Sequence, residues 1–178
     1  TPRQPRCPAC PLRGVCRAAK SKTPETFPNK KKKMKVPHKV VGAAVILNAK
    51  NQILIAQRNP EKGMLAGLWE FPGGKIAEGE TMPQCIAREL KEEMGIAIDV
   101  GPYLVTVHHA YSHFTIELHA HFARIRSGRP RHLECSGHAW TTRDRFDDFP
   151  FSKADLEIIR ALRALPQPPR LRELFTQK

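Results

Sequence analysis

Acidic residues are almost missing from the first fifth of this 178-residue sequence. Residues 1–35 hold 11 Lys and Arg but a single acid, Glu25, whereas the remaining residues hold 19 Lys and Arg and 16 acids. The formal net charge of +13 therefore belongs mainly to a basic N-terminal arm. A basic arm suits a polyanion such as nucleic acid. Taken alone, the run NKKKKMK at 29–35 is more typical of a solvated linker.

Long apolar segments are also missing. No apolar run is long enough to cross a bilayer, and no signal-peptide core lies near the start. We therefore expect a cytoplasmic protein without a membrane partner, and we expect it to be a monomer. The length allows one well-cored domain with appendages.

The pattern of residues divides the chain into four parts. Residues 19–37 are rich in Pro and Lys and predict a linker. From His38 to about residue 165, β-rich runs alternate with two amphipathic segments, a helix from about Met82 to Met94 and a second one at 152–165 with Ser152 as its N-cap. Strand-like runs outnumber helices in a mixed order, which predicts an α/β sandwich with a mixed sheet. Residues 166–178 are expected to form a flexible tail.

Three glutamates crowd one side of the first predicted helix. Glu89, Glu92 and Glu93 are spaced at i, i+3 and i+4, where like charges repel. Arg88 is expected to neutralise one of these carboxylates but not all three. A hard divalent ion such as Mg²⁺ prefers oxygen ligands, so the cluster suits such an ion; a solvated acidic helix face is the simpler alternative.

The residues around these glutamates complete a longer pattern. Gly74 is followed after five residues by Glu80, and after seven more by Arg88-Glu89-Leu90-Lys91-Glu92-Glu93-Met94-Gly95-Ile96. This pattern resembles the Nudix box of the Nudix hydrolase superfamily, and the string WEFPGGKIAEGET at 69–81 is most similar to its MutT-like branch, whose members hydrolyse oxidised guanine nucleotides. The resemblance covers residues 38–165 and implies a Nudix α/β/α sandwich with a mixed β-sheet.

The resemblance also implies roles for individual residues. Mg²⁺ or Mn²⁺ would be held by Glu92 and Glu93, with Glu89 in or beside the metal shell and the Gly73 carbonyl as a backbone ligand. Arg88 would orient the carboxylates and Glu80 would tie the loop to the helix. A metal-activated water would then attack a diphosphate, releasing a nucleoside monophosphate and pyrophosphate. The phosphate-facing loop would be formed by Gly73, Gly74 and Lys75.

One feature of MutT-like hydrolases has no counterpart in the sequence. These enzymes usually add an acid from a later strand or loop, but no Asp or Glu lies between Leu118 and Leu133. Arg124 or a neighbour falls at that place, and Glu117 and Glu134 bracket the gap. The missing acid leaves open whether the domain hydrolyses its ligand or only binds it.

Three of the five cysteines lie at the N-terminus. Cys7, Cys10 and Cys16 have the spacing C-x2-C-x5-C, which favours metal over a disulfide, but three thiolates cannot complete a structural zinc or iron–sulfur site. The segment resembles the last three ligands of the [4Fe–4S] loop of MutY-type adenine DNA glycosylases. Residues 1–18 would then be the C-terminal remnant of that loop, with the cluster and an upstream glycosylase domain present only in a longer parent protein.

The stretch VHHAYSHF at 107–114 supplies the expected base-recognition residues. Tyr111-Ser112-His113 resembles the Phe-Ser-His loop with which the MutT-like domain of MutY proteins contacts 8-oxoguanine. Ser112 is assigned the preference for the oxidised base, because a hydroxyl can donate or accept a hydrogen bond. Lys153 occupies the position of a base-contacting Asn in MutT proteins. Solvent-exposed histidines at a strand end are the alternative.

These features favour two functions. The first is Mg²⁺-dependent hydrolysis of 8-oxo-dGTP to 8-oxo-dGMP and pyrophosphate. The second is a catalytically silent domain that recognises 8-oxoguanine in DNA for an adenine glycosylase of base excision repair. A Nudix enzyme acting on ADP-ribose or another dinucleotide is a weaker third possibility, since nothing in the sequence resembles the additional signatures of those branches.

Overall fold

A computed structural model describes residues 4–27, 36–61, 63–167 and 170–175. The chain separates into two compact units, residues 1–35 and 36–178. The basic run from Lys30 to Lys33 lies outside the described residues, as do parts of the predicted linker and tail. No helix in the described part of the chain combines the length and the apolar character that crossing a membrane requires.

The first unit consists of turns with two short 3₁₀ helices, Cys7–Ala9 and Pro24–Thr26. Backbone hydrogen bonds link Cys10 N to the Cys7 carbonyl and Cys16 N to the Leu12 carbonyl. The three N-terminal cysteines are free thiols. Their assignment to an iron–sulfur loop stays a prediction.

The second unit is built on one mixed sheet. Its strands are β1 (His38–Leu47), β2 (Ile53–Gln57), β3 (Trp69–Glu70), β4 (Gly73–Lys75), β5 (Ala97–Ala110), β6 (Thr115–Ser127) and β7 (Gly137–Thr141). The order is β3-β2-β1-β6-β5, with β4 paired to β1 and β7 to β2. The long central pair, β1 with β6, is parallel, whereas the other pairings are antiparallel. This arrangement confirms the predicted α/β fold with a mixed sheet.

Two helices cover the two faces of the sheet. Successive residues of β1 point to opposite faces, so this strand contributes side chains to both hydrophobic cores. Helix α1 (Met82–Met94) buries Ile86, Leu90 and Met94 against Ala44 and Ile46. Helix α2 (Lys153–Ala164) packs on the opposite core, which includes Ala43, Val45 and Leu47. Burial of these apolar side chains holds the sandwich together.

The predicted helix boundaries are confirmed. Helix α1 ends at Met94 because Gly95 adopts a left-handed conformation with φ of 67°, and its N–H caps the Leu90 and Lys91 carbonyls. Ser152 is the N-cap of α2, where its Oγ accepts a hydrogen bond from Asp155 N.

The tail differs from the expectation of a wholly flexible segment. Leu171–Leu174 form a helical turn, α3, and Leu171 and Leu174 pack against the core beside α2. The Leu171 N–H donates to Asn51 Oδ1 at 3.0 Å, and the Phe175 ring lies 4.7 Å from the Arg124 guanidinium. The apolar residues of this Pro-rich tail contact residues that are distant in the chain, and the local sequence does not indicate these contacts.

The backbone of Gly73 lies tightly against the backbone of Gly42. Its φ is 155°, and an added Cβ would lie 2.1 Å from the Gly42 carbonyl oxygen. Gly73→Ala is therefore expected to push β4 away from β1 and to lower the free energy of unfolding by about 2–4 kcal/mol. Thermal unfolding measures the loss. Gly137→Ala is the control, because its Cβ would meet only ordinary contacts at 3.7 Å or more; equal melting temperatures for the two variants would contradict the expectation.

Candidate active site

A cavity of about 640 Å³ opens where β4, the start of α2 and the β5–β6 hairpin meet β1. It brings together seven of the residues singled out in the sequence: Gly73, Gly74, Lys75, Glu89, Glu93, Tyr111 and His113. It also has a wall that the sequence analysis missed, formed by Arg58, Glu70, Ser152 and Asp155 with Lys39 and Phe114. Among the described residues predicted for the Nudix site, five lie outside its lining: Glu80, Arg88, Glu92, Ser112 and Lys153.

Arg88 is the centre of an ion-pair network on α1. Its Nε and Nη2 donate to the two oxygens of Glu80, both at 2.9 Å, and its Nη1 donates to Glu89 and Glu92 at 3.0 Å. Nη2 also donates to the Lys75 carbonyl at 3.0 Å. Arg88 was expected to neutralise one of the three clustered glutamates but not all three; in the structure it contacts two of them, as well as Glu80. The network ties α1 to the loop after β4.

Glu93 is the clustered glutamate that Arg88 does not contact. Burial raises the pKa of Glu93 to about 8, with further increases from the nearby carboxylates of Glu70, Glu89 and Glu134. Arg58 acts in the opposite direction. The ionised form of this carboxyl group is destabilised by burial and by the neighbouring carboxylates. A cation that enters the cavity would stabilise it, so the site favours cation binding.

Two of these acids were not assigned a role from the sequence. Glu70 lies within the string WEFPGGKIAEGET at 69–81 and ends strand β3. Glu134 lies on the loop after β6, and its backbone N–H donates to the Glu93 carbonyl at 3.3 Å. Glu134 is thus the acid after the gap that faces the cluster, whereas Glu117 is paired with histidines on the sheet. The feature of the sequence that points to Glu134 is its position directly after the acid-free stretch that ends at Leu133.

Arg124, at the place where a later acid was expected, is turned to other partners. Its Nε donates to Asp99 Oδ2 at 2.9 Å, and its guanidinium lies over Phe175. It does not line the cavity in the described part of the structure.

The carboxylates fit a hard divalent cation by the chemistry of their donors. Glu70, Glu89 and Glu93 present oxygens to one cavity beside the backbone of Gly73, and oxygen donors are what Mg²⁺ and Mn²⁺ prefer. Within residues 4–27, 36–61, 63–167 and 170–175, no group of three or more His, Cys, Asp or Glu is arranged as a ready-made metal site. A metal ion would therefore have to draw these side chains together.

Arg58 adds a cation to the acidic wall. Its Nη1 donates to Glu70 at 2.7 Å, while its buried Nε has no hydrogen-bond partner in the described structure. Because an unpaired buried donor is costly, this Nε–H favours an acceptor supplied by a ligand.

The opposite wall combines aromatic rings with a buried carboxyl group. The rings of Tyr111 and Phe114 lie 4.7 Å apart, and Lys39 Nζ lies 4.0 Å from the Phe114 ring. Asp155 accepts a hydrogen bond from Phe71 N at 3.0 Å and one from Ser152 Oγ at 2.6 Å. Burial raises the pKa of Asp155 to about 7, although these two hydrogen bonds lower it.

Two residues predicted to recognise the base lie outside the lining of this cavity. Ser112 is exposed at the tip of the hairpin, and the cavity contacts are made by Tyr111 and His113 on either side of it. Lys153 is exposed at the start of α2, whereas the neighbouring Ser152, Ala154 and Asp155 line the cavity. Base recognition by Ser112 and Lys153 therefore stays a prediction, and the neighbouring side chains are the ones that line the cavity.

Comparisons with known proteins agree with this architecture. A sequence profile of the NUDIX domain matches residues 42–161. The CTP pyrophosphohydrolase of Escherichia coli K12 is 35% identical over 122 residues, which are 68% of this chain and 90% of that protein. An 8-oxo-dGTP diphosphatase of Proteus vulgaris is 45% identical over 71 residues, 40% of this chain and 62% of that protein. The solution structure of the E. coli ORF135 protein has a TM-score of 0.62 and 32% identity, covering 75% of this chain and 96% of that one.

Proposed function

Because the chain belongs to the Nudix domain family, whose relatives include MutT-like hydrolases, we propose that it hydrolyses 8-oxo-dGTP to 8-oxo-dGMP and pyrophosphate. The observation that carries this proposal is one cavity with two chemically different walls. One wall is the acidic cluster around Glu93, which suits a cation bound to phosphates. The other is the aromatic and carboxyl wall of Tyr111 and Asp155, which suits a base.

The acidic wall would hold Mg²⁺ or Mn²⁺, which on binding supplies a Lewis acid and an activated water. Glu89 and Glu93 would ligate the ion from the cavity side, with Glu92 from the exposed side of α1 and the Gly73 carbonyl from β4. Arg88 fixes the orientation of Glu89 and Glu92 through its hydrogen bonds, and Glu80 anchors Arg88 while accepting from Ala77 N at 3.0 Å.

Positive groups at the same wall would bind the phosphates. Lys75 and Arg58 both line the cavity beside Gly73 and Gly74. The unpaired Arg58 Nε–H would donate to a phosphate or base oxygen, which removes the cost of leaving it buried without an acceptor. Gly74 packs directly against the Glu89 carboxylate, since an added Cβ would lie 2.1 Å from Glu89 Cδ. The loop therefore keeps backbone and carboxylate close together.

Asp155 is the residue that would recognise the oxidised base. Oxidation at C8 turns guanine N7 from a hydrogen-bond acceptor into an N–H donor, and an ionised carboxylate can only accept. Asp155 is held in place by Phe71 N and Ser152, so its orientation is fixed before the base arrives. Tyr111 and Phe114 offer ring faces on which a base can stack.

Release of pyrophosphate from 8-oxo-dGTP in the presence of Mg²⁺ tests the proposal directly. The substrate panel should include dGTP and CTP, because one relative is a CTP pyrophosphohydrolase. Preference for 8-oxo-dGTP supports the proposal. Preference for CTP would support nucleotide hydrolysis but contradict 8-oxo-dGTP as the substrate. Absence of turnover with every nucleotide would contradict hydrolysis.

A silent recognition domain is the second candidate, and the position of Arg124 favours it. This residue stands where a later acid was expected and pairs with Asp99, which leaves the acidic wall to Glu134 and the cluster. In this case the domain would bind 8-oxoguanine in DNA without hydrolysis. Binding to a duplex containing 8-oxoguanine, with no pyrophosphate release, would establish it.

We further propose that the parent protein is a cytoplasmic MutY-type adenine glycosylase of DNA repair, with residues 1–18 closing a [4Fe–4S] loop and residues 19–37 as the linker. The spacing of Cys7, Cys10 and Cys16 supports this proposal, as does the basic character of the arm. Iron analysis of a longer chain with an upstream cysteine tests it.

Substitutions in the hairpin separate the two candidate base contacts. Tyr111→Ala is expected to raise KM for 8-oxo-dGTP about tenfold, because stacking is worth about 1–3 kcal/mol per base. Ser112→Ala, at the next residue in the same loop, is the matched control, and loss of its exposed hydroxyl should change KM less than about twofold. Steady-state kinetics measures both. A larger effect at Ser112 would return base recognition to its hydroxyl.

A further inference from the structure

Lys39 is a charged side chain of the cavity to which the proposed reaction gives no role. It lies on β1 and lines the cavity together with Ile116, its register partner on β6, and with Val41, two residues along the strand. Both neighbours are apolar and pack against the hydrophobic core under α2. The Lys39 ammonium group therefore stands between apolar side chains in the lining.

The Lys39 ammonium group has no carboxylate partner in the described part of the chain. None of the ion pairs found there includes it. Its Nζ lies 4.0 Å from the centre of the Phe114 ring instead. A cation on a ring face is held weakly, and its N–H donors stay available for a hydrogen-bond acceptor. The flexible four-carbon chain lets the ammonium group turn from the ring to a ligand.

The other Lys and Arg side chains of the described lining lie at the acidic wall. Arg58 donates to Glu70 at 2.7 Å, and Lys75 ends strand β4. Lys39 is thus the cation placed beside the aromatic ring of Phe114, on the wall that suits a base.

The oxidised base needs a hydrogen-bond donor that Asp155 does not supply. Oxidation at C8 creates an N7–H donor and, directly beside it, a carbonyl oxygen that accepts. The Asp155 carboxylate would satisfy the N7–H, but it repels the C8 oxygen because both groups carry acceptor lone pairs. That oxygen would also lose its hydrogen bonds to water on entering the cavity. A positively charged donor close to Asp155 would remove both costs.

We propose that Lys39 is a specificity-determining residue that donates a hydrogen bond to the C8 oxygen, while Asp155 accepts from N7–H. A series of contacts along one wall connects the two residues. Nζ of Lys39 lies over Phe114, and the Phe114 ring is 4.7 Å from that of Tyr111. Tyr111 Oη is 3.5 Å from Ser152 Oγ, which donates to Asp155.

This pairing of charges also explains how unoxidised guanine would be rejected. Its C8–H would face the ammonium group and its N7 would face the carboxylate, so neither charged group would gain a hydrogen bond. A site built to bond polar groups of its ligand discriminates strongly against a ligand that lacks them. The inference rests on the proposed recognition of 8-oxoguanine and does not require hydrolysis.

Calorimetric titration with 8-oxo-dGMP and dGMP at a fixed Mg²⁺ concentration tests the inference. The unmodified protein is expected to bind 8-oxo-dGMP more tightly. Lys39→Met removes the charge and suits the apolar neighbours, so the fold should be retained. The ratio of the two Kd values should fall by about tenfold or more, because a hydrogen bond from a charged donor is lost. Lys39→Arg keeps a charged donor and should retain most of the preference.

A matched control and a second purine sharpen the test. Lys50→Met, at an exposed position in the turn after β1, should leave the ratio of Kd values unchanged. Adenine has an amino group in place of O6 but gains the same N7–H and C8 oxygen on oxidation. Lys39→Met should therefore also lower the preference for 8-oxo-dAMP over dAMP. Equal losses of affinity for oxidised and unoxidised bases would mean that Lys39 contacts O6 or only supports Phe114, and would overturn the inference.

Failure of this inference can be distinguished from failure of the proposed hydrolysis. A binding preference that depends on Lys39, without pyrophosphate release from 8-oxo-dGTP, would reject hydrolysis and support the inference. Pyrophosphate release with an unchanged preference in Lys39→Met would support hydrolysis and overturn the inference. Equal affinity of the unmodified protein for 8-oxo-dGMP and dGMP would overturn it as well.

Discussion

Glu93→Gln is expected to lower the rate of pyrophosphate release by about a hundredfold or more. The Glu93 carboxyl is largely buried among other carboxylates and has no Arg88 contact to replace a bound cation. A metal ion supplies several kcal/mol of stabilisation in the transition state, and Gln is a far weaker ligand than a carboxylate. Rates should be measured with 8-oxo-dGTP at saturating Mg²⁺.

The same substitution is expected to stabilise the metal-free fold above neutral pH. The folded-state pKa of Glu93 is about 8 and its ordinary value is 4.5, so folding favours the protonated form. The stability associated with this proton is present below about pH 4.5 and is lost as the pH rises toward 8. Removing the titrating group should raise the melting temperature by about 5–10 °C at pH 8.5 and by little at pH 4.5.

Glu92→Gln is the control for stability. Glu92 is exposed and paired with Arg88, so its loss should shift the melting temperature little at any pH. Added Mg²⁺ should stabilise the unmodified protein at pH 8.5 but not the Glu93 variant. A Glu93→Gln protein that retains full activity and Mg²⁺-dependent stabilisation would remove Glu93 from the site.

Asp155→Asn is expected to lower kcat/KM for 8-oxo-dGTP by about 10–100-fold, with a much smaller effect on dGTP. A hydrogen bond to a charged group is worth about 1.5–3 kcal/mol, and the unoxidised N7 has no proton to donate. Asn keeps an oxygen that can accept from Phe71 N, so the fold should be retained. The informative quantity is the ratio of kcat/KM for the two substrates.

The pH dependence of that ratio gives a second test. The folded pKa of Asp155 is about 7, so the carboxylate that would recognise N7–H forms as the pH rises through 7. Preference for the oxidised substrate should therefore increase from pH 6 to pH 8, and the Asn variant should lose the increase. Titration of Glu93 should change kcat/KM for both substrates by the same factor, so its effect cancels in the ratio. Asp148→Asn, at an exposed position paired with Arg145, is the matched control; a flat ratio in the unmodified protein would exclude Asp155.

The sequence predicted best where one local pattern determines the structure. Helix α1 follows from an apolar stripe that ends at Gly95, and α2 follows from the Ser152 cap. The mixed sheet follows from the order of strands and helices. These features depend on residues within a few positions of each other, which the linear sequence displays.

The composition of the cavity was harder to predict because it depends on distant parts of the chain. Asp155 contacts the backbone of Phe71, 84 residues away, and Glu70 and Glu134 reach Glu93 from different elements. In a strand, neighbouring residues face opposite sides, so a motif indicates a segment but not the side chain that enters the site. For this reason the sequence motifs did not distinguish Tyr111, which lines the cavity, from Ser112 and Lys153, whose neighbours line it instead.

The parallel pairing of β1 with β6 also determines when the domain can be completed during synthesis. His38 and Thr115, at the start of this ladder, are separated by 77 residues. Closing so long a loop has an entropic cost before any contact in the ladder is made, and pairings of this range slow folding. A ribosome must therefore release β1, the three strands β2 to β4, α1 and β5 before β6 can pair with the central strand β1. Until then, one edge of β1 stays open to other chains.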